Sequence, residues 1–129
     1  MNGQSDPIVE PDNTLPEIHL TDLTRRMQEA AGRAGWTELM PVQRRAIPYM
    51  LEKRDLMCQS RTGSGKTGAF VLPIIERVDP GNIATQALVL VPTRELASQV
   101  AADAALLAGN SGVKVVAVYG GVGYGPQLK

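Results

Sequence analysis

Cysteine is nearly absent from this chain of 129 residues, with Cys58 the only one. An intramolecular disulfide is therefore excluded, and the apolar run Leu56, Met57, Cys58 makes a buried small hydrophobe the expected state of the thiol. Net charge is absent too: 13 Lys plus Arg balance 13 Asp plus Glu, so no overall basic field advertises a nucleic-acid partner. No apolar window nears the ~20 residues of a membrane span, and Met1 to Asp12 has neither the basic start nor the apolar stretch of a secretory leader. A cytoplasmic protein is expected. Internal repeats at solenoid periods and low-complexity tracts are also missing. What remains, 43% hydrophobic and 20% charged residues, is ordinary for one soluble globular domain of roughly 100–150 residues.

The balanced charge hides a split. Residues 1–24 carry Asp6, Glu10, Asp12, Glu17 and Asp22 without Lys or Arg, whereas residues 25–77 hold ten basic against five acidic side chains. Basic charge is thus concentrated in the middle, either around a site or on a solvated helical face.

Residues 1–16 mix Asn, Gly, Ser, Asp and three prolines with scattered apolar residues, a composition that reads as a flexible lead-in. Leu23, Met27, Ala30, Ala31 and Ala34 recur at helical spacing, with Thr21 or Asp22 as cap and Gly35 as stop. Pro41 suits the first position of a second helix carrying Val42, Ala46, Ile47, Met50 and Leu51, which Pro48 should kink or shorten. Leu56 to Cys58 then reads as a short strand, Ser60 to Thr67 as a loop, and Ala69 to Val78 as a helix despite Pro73. Ala87 to Val91, continuously apolar, reads as a strand buried on both faces. Arg94 to Ala108 follows as a helix and Val113 to Val118 as a β-branched strand, with a glycine-rich loop from Gly120 to Pro126. Strand, helix, strand, helix, strand predicts an α/β fold, a parallel sheet with flanking helices. About three strands are visible, so the pattern reads as interrupted at Lys129.

The strongest chemical signal is Ser60-Arg61-Thr62-Gly63-Ser64-Gly65-Lys66-Thr67 between an apolar run and an apolar helix. It reads as a phosphate-binding P-loop, although Ser60 stands where the strict pattern has Gly. Gly63 and Gly65 let the backbone curl, successive N–H groups and the helix start face phosphate, Lys66 reaches the β and γ oxygens, and the Thr67 hydroxyl ligates magnesium. Arg61, Thr62 and Ser64 complete the cradle. An acidic magnesium holder at a strand end is not evident, because Glu95 and Asp103 fall within a predicted helix, where Glu95 complements the macrodipole.

With Pro92-Thr93-Arg94-Glu95-Leu96-Ala97 and Gly120-Gly121 following in order, the chain resembles the N-terminal helicase core of DEAD-box ATP-dependent RNA helicases, over roughly residues 18–125. Gly35 to Gln43, followed by Ala46-Ile47-Pro48, looks like that family's Q motif. The resemblance implies part of a RecA-like helicase ATP-binding domain over residues 17–129, ATP and magnesium as cofactors, and RNA as partner. It assigns Lys66 and Thr67 to catalysis, Thr67 to the metal, and Gln43 to reading adenine, whose N6 and N7 edge suits a carboxamide. Ile18 stands at the adenine position where the family usually has an aromatic residue. Pro92, Thr93, Arg94, Gly120 and Gly121 match positions that grip the RNA backbone, so binding should be tolerant of sequence.

Read alone, the same residues have plainer accounts. Gln43 would be a surface glutamine, Arg94-Glu95 a capped helix start, Gly120-Gly121 a turn, and Trp36 a hydrophobic anchor rather than a base-stacking platform. Leu39 and Met40 stand where the family has Pro and Thr or Ser, and Ser60 and Arg61 replace the common Ala and Gln. The Asp-Glu-Ala-Asp motif, the Ser-Ala-Thr motif and the second helicase domain lie outside these residues. Hydrolytic silence is accordingly the expectation for this chain alone, in an intact protein that couples ATP hydrolysis to RNA unwinding. A non-catalytic nucleotide- or RNA-binding module is the alternative, and a small P-loop kinase is disfavoured for want of lid arginines.

Overall fold

Thr24, not Thr21 or Asp22, starts the first long helix. A computed structural model describes residues 12–121, and in it α1 spans Arg25–Arg33 with the Thr24 hydroxyl accepting from the Met27 amide at 3.3 Å. Thr21 and Asp22 instead belong to a 3-10 turn at Leu20–Asp22, where the Asp22 carboxylate accepts from the His19 amide at 2.9 Å. Three polar residues within four positions can each cap, and the one chosen also donates its hydroxyl to Glu76 at 2.7 Å. That long-range partner settles the competition. Helix α1 closes in a Schellman motif, with the Gly35 amide on Gly32 O and the Trp36 amide on Ala31 O at 3.1 Å.

Pro41 is the first residue of α2, Pro41–Leu51. Contrary to expectation, Pro48 does not shorten it. Proline removes the N–H that would have bonded the Arg44 carbonyl, and the Ile18 amide takes that carbonyl instead at 3.1 Å. The segment before α1 is thereby docked on α2, where Tyr49 Oη also accepts from the Leu15 amide and Arg54 donates to the Asn13 carbonyl. Residues 1–11 of the expected lead-in, and 122–126 of the expected closing loop, lie outside the described residues.

Helix α3 spans Lys66–Arg77, beginning three residues earlier than the apolar pattern indicated, and α4 spans Arg94–Ala108 as expected. Helix α3 is central and packs on α1, α2 and α4. Its Val71, Leu72 and Ile75 meet Met27 and Ala30 of α1, Ile47 of α2 and Leu107 and Ala108 of α4 in one buried cluster. Arg33 ties the ends of α1 and α4 together, its Nε donating to the Leu107 carbonyl at 2.9 Å. Arg33→Ala should therefore cost about 1.5–3 kcal/mol, the worth of a charge-assisted hydrogen bond. Arg33→Lys should not restore it, because lysine has no donor at the Nε position. Urea unfolding reads the difference, and an Ala variant within about 0.5 kcal/mol of wild type would contradict the tie.

The runs expected as strands behave otherwise. Among the described residues no strand forms at 56–58, 87–91 or 113–118, and the helices carry the core. Met57 is 97% exposed, Leu88 79% and Leu90 86%, and Cys58, expected to be buried, is exposed as well. A parallel ladder exists only between neighbours about 4.8 Å apart. Apolar composition marks a segment that gains from burial, and burial requires a partner that composition does not specify.

Candidate nucleotide site

The turn from residue 60 into α3 is shaped by its glycines. Gly65 is the N-cap of α3 at φ 94° and ψ 19°, a left-handed conformation that side-chain-bearing residues rarely adopt. No side chain caps the helix, so its first-turn N–H groups are left for water or an anion, and the macrodipole favours the anion. Within the loop, Ser64 N donates to Arg61 O at 3.1 Å, and the Ser60 and Ser64 hydroxyls bond each other. Lys66 Nζ folds back onto Ser60 O at 2.5 Å. Lys66 and Thr67 are the first two residues of α3, with Lys66, Arg61 and Thr62 exposed and Thr67 half-buried.

Gln43 is not on the surface. It is 2% exposed, the one buried polar side chain among the described residues. Its Oε1 accepts from the Met40 amide at 2.9 Å and its Nε2 donates to Gly65 O at 3.2 Å. The carboxamide therefore clasps the start of α2 to the N-cap of α3, and it retains one further donor and one further acceptor position. A methyl at Gly65 would stand 2.8 Å from both Gln43 Nε2 and Met40 Sδ. Met40 thus packs its thioether against the N-cap of α3. Ile18 sits against α2 one residue along from Gln43, through the Arg44 carbonyl, with its side chain half-buried on the core.

Sequence reasoning did not single out the neighbouring cleft of about 150 Å³, walled by His19, Thr21, Thr37, Glu38, Leu39 and Arg44. Glu17, 3.5 Å from Arg44 Nε and 3.8 Å from Arg45 Nε, holds that side of α2. The acidic start of the chain against its basic middle was the signal that could have indicated this pairing.

The second group of expected residues surrounds the start of α4. The Thr93 hydroxyl accepts from Leu96 N at 3.1 Å and is the N-cap. Pro92 and Arg94 are exposed beside it. The Arg94 guanidinium lies against Gly121, where a methyl would meet Nη1 at 3.0 Å on a backbone of φ 86°. Gly120 is exposed with open space around it. The structure thus brings Gln43 and Gly65 together at one place and Arg94 and Gly121 at another, while Ile18 lies on the Arg44 carbonyl of α2 with its side chain on the core.

The family profile described as DEAD/DEAH box helicase matches residues 40–129. The DEAD-box ATP-dependent RNA helicase CshA of Geobacillus kaustophilus is 40% identical over 107 residues, 83% of this chain and 23% of that one. Its namesake in Bacillus subtilis is 37% identical over 108 residues, covering 84% and 22%. The chain thus spans under a quarter of these relatives. Among solved structures, the RNA helicase Prp28 of Chaetomium thermophilum bound to ADP superposes with a TM-score of 0.73 at 39% identity, over 94% of this chain and 30% of that one. A DEAD box protein from Methanococcus jannaschii gives 0.71 at 37% identity, over 83% and 30%.

Proposed function

The chain belongs to the DEAD/DEAH box helicase family, and from that premise we propose that it holds ATP with magnesium at the start of α3 and an RNA backbone at the start of α4. The observation that carries the proposal is the uncapped N-terminus of α3 behind the left-handed Gly65, with Lys66 and Thr67 in its first turn. Phosphate oxygens suit the open N–H groups, and they offer the Lys66 ammonium a charged acceptor in place of the Ser60 carbonyl. Arg61, Thr62, Gly63 and Ser64 form the rest of the cradle. Magnesium keeps several waters and takes its remaining ligands from phosphates and few protein oxygens, so a single hydroxyl, Thr67, fits as its protein ligand. Gln43, with its remaining donor and acceptor, together with Ile18, faces the adenine.

Residues 17–129 on this reading are part of a RecA-like ATP-binding domain, in which the apolar runs at 56–58, 87–91 and 113–118, not paired as strands here, gain partners in a parallel sheet. In the whole protein these contacts serve ATP-dependent separation of RNA strands, in the cytoplasm. Pro92, Thr93, Arg94, Gly120 and Gly121 hold RNA through phosphate and sugar, which position the strand without reading its sequence. A short labelled single-stranded RNA, titrated by fluorescence anisotropy at several salt concentrations, tests the interface. Arg94→Ala should weaken binding about tenfold, the worth of one charge-assisted contact. The loss should be even across RNA sequences, with the salt slope lowered by about 0.7 for one lost phosphate contact. A loss confined to one sequence, or a wild-type chain that ignores RNA, would refute the assignment.

A further inference from the structure

The chain contains one tryptophan, and neither the nucleotide nor the RNA reading uses it. Its backbone is fixed by the Schellman closure of α1, through Trp36 N on Ala31 O at 3.1 Å. Its ring is half-buried against the core and reaches α3 at Gly68, the residue after Thr67. A methyl added at Gly68 would lie 3.0 Å from Trp36 Cζ2 and closer still to Cη2. The same methyl would stand 2.7 Å from Gln43 Nε2. Gly68 is buried, and at this point only a residue without Cβ leaves room for the indole.

We propose that Trp36 is a positioning residue for the phosphate loop, setting the seat of α3 on α2 through a size match between its indole and Gly68. The argument is mechanical. Close-packed interiors transmit displacement rather than absorbing it, and the first turn of α3 carries Lys66 and Thr67 two residues and one residue before the contact. Gln43 Nε2, which holds the Gly65 carbonyl, borders the same spot. Enlarging Gly68 therefore displaces the two side chains that fix the loop, while trimming the indole gives the first of them space to yield. Trp36 does not touch the nucleotide; it acts through α3.

The proposal rests on the nucleotide reading, and the experiment separates the two. Calorimetric titration of the 129-residue chain with ADP and magnesium is run on wild type, Gly68→Ala, Trp36→Phe and the double variant, each checked for helix content and cooperative unfolding. Phenylalanine lacks the Cη2 and Cζ2 positions that crowd residue 68. Gly68→Ala should weaken ADP binding about tenfold, and the double variant should recover the part of that loss due to the indole, the Gln43 contact persisting, a coupling of the size seen between residues in contact. Trp36 emission should shift when ADP binds to wild type and remain unchanged when Lys66→Ala receives the same dose. If Gly68→Ala fails to fold, the double variant decides: one that folds and binds ADP supports the size match, and one that fails to fold like the single variant overturns it. A wild type that binds no ADP overturns the nucleotide reading and this proposal with it. A wild type that binds, with the two substitutions simply additive or with Gly68→Ala harmless, overturns the positioning role alone.

Discussion

Lys66→Ala is expected to weaken binding of ADP with magnesium by about tenfold to a hundredfold, because an ammonium on phosphate is a charge-assisted hydrogen bond worth about 1.5–3 kcal/mol. The lower part of that range applies if water screens the exposed ammonium, which folds over the loop onto Ser60 O. Stability should hardly change. The side chain is outside the core cluster, and surface substitutions of this kind fall within about 0.5 kcal/mol. Affinity and stability must therefore separate: an Ala variant that binds ADP as wild type does would place the phosphate elsewhere. A variant that loses both together would show that Lys66 acts through the fold.

Gln43→Ala should behave in the opposite sense, with a large loss of stability. Removing the carboxamide leaves the Met40 amide without its partner, takes from the Gly65 carbonyl one of its two donors, the Ala69 amide remaining, and opens a void where Gln43 is 2% exposed. The orphaned amide costs about 1–3 kcal/mol, and the void left by the carboxamide adds to it in so far as it does not relax, so a total of about 2–4 kcal/mol is expected. Gln43→Glu should be no better, because it turns the donor facing Gly65 O into an acceptor and introduces a buried charge without a partner. Gln43→Met keeps the volume and separates the packing loss from the hydrogen-bond loss. Chemical unfolding of the three variants gives the ranking, and a stable Ala variant would sink the clasp between α2 and α3.

Why this clasp was not legible in the sequence is instructive. On a helical wheel Gln43 reads as a polar surface residue, since its Gly65 partner lies 22 positions away. Pro48 did not shorten α2 for a similar reason: the carbonyl it orphans is taken by Ile18, which no local rule can foresee. The start of α1 slipped from Thr21 or Asp22 to Thr24 because the sequence offers equivalent caps and Glu76 selects among them. By contrast, Pro41, Arg94 to Ala108 and the glycines of the phosphate loop were readable, because φ restriction, capping and apolar period act within a few residues. Cys58 and the exposed Leu88 and Leu90 show the limit from the other side. Their apolar character was read correctly, but their burial depends on pairing partners that the run itself does not name.

The phosphate loop and the roles of Lys66 and Thr67 depend on one claim, that the loop clasped by Gln43 receives an adenine nucleotide. Parallel calorimetric titrations of the chain with ADP and GDP, each with magnesium, test it most directly. The account predicts saturable binding of ADP and binding of GDP weaker by about tenfold or more, since a guanine edge presents the carboxamide with the wrong donor and acceptor pattern. Equal affinity for the two would contradict the role of Gln43, and no binding of either would contradict the site itself.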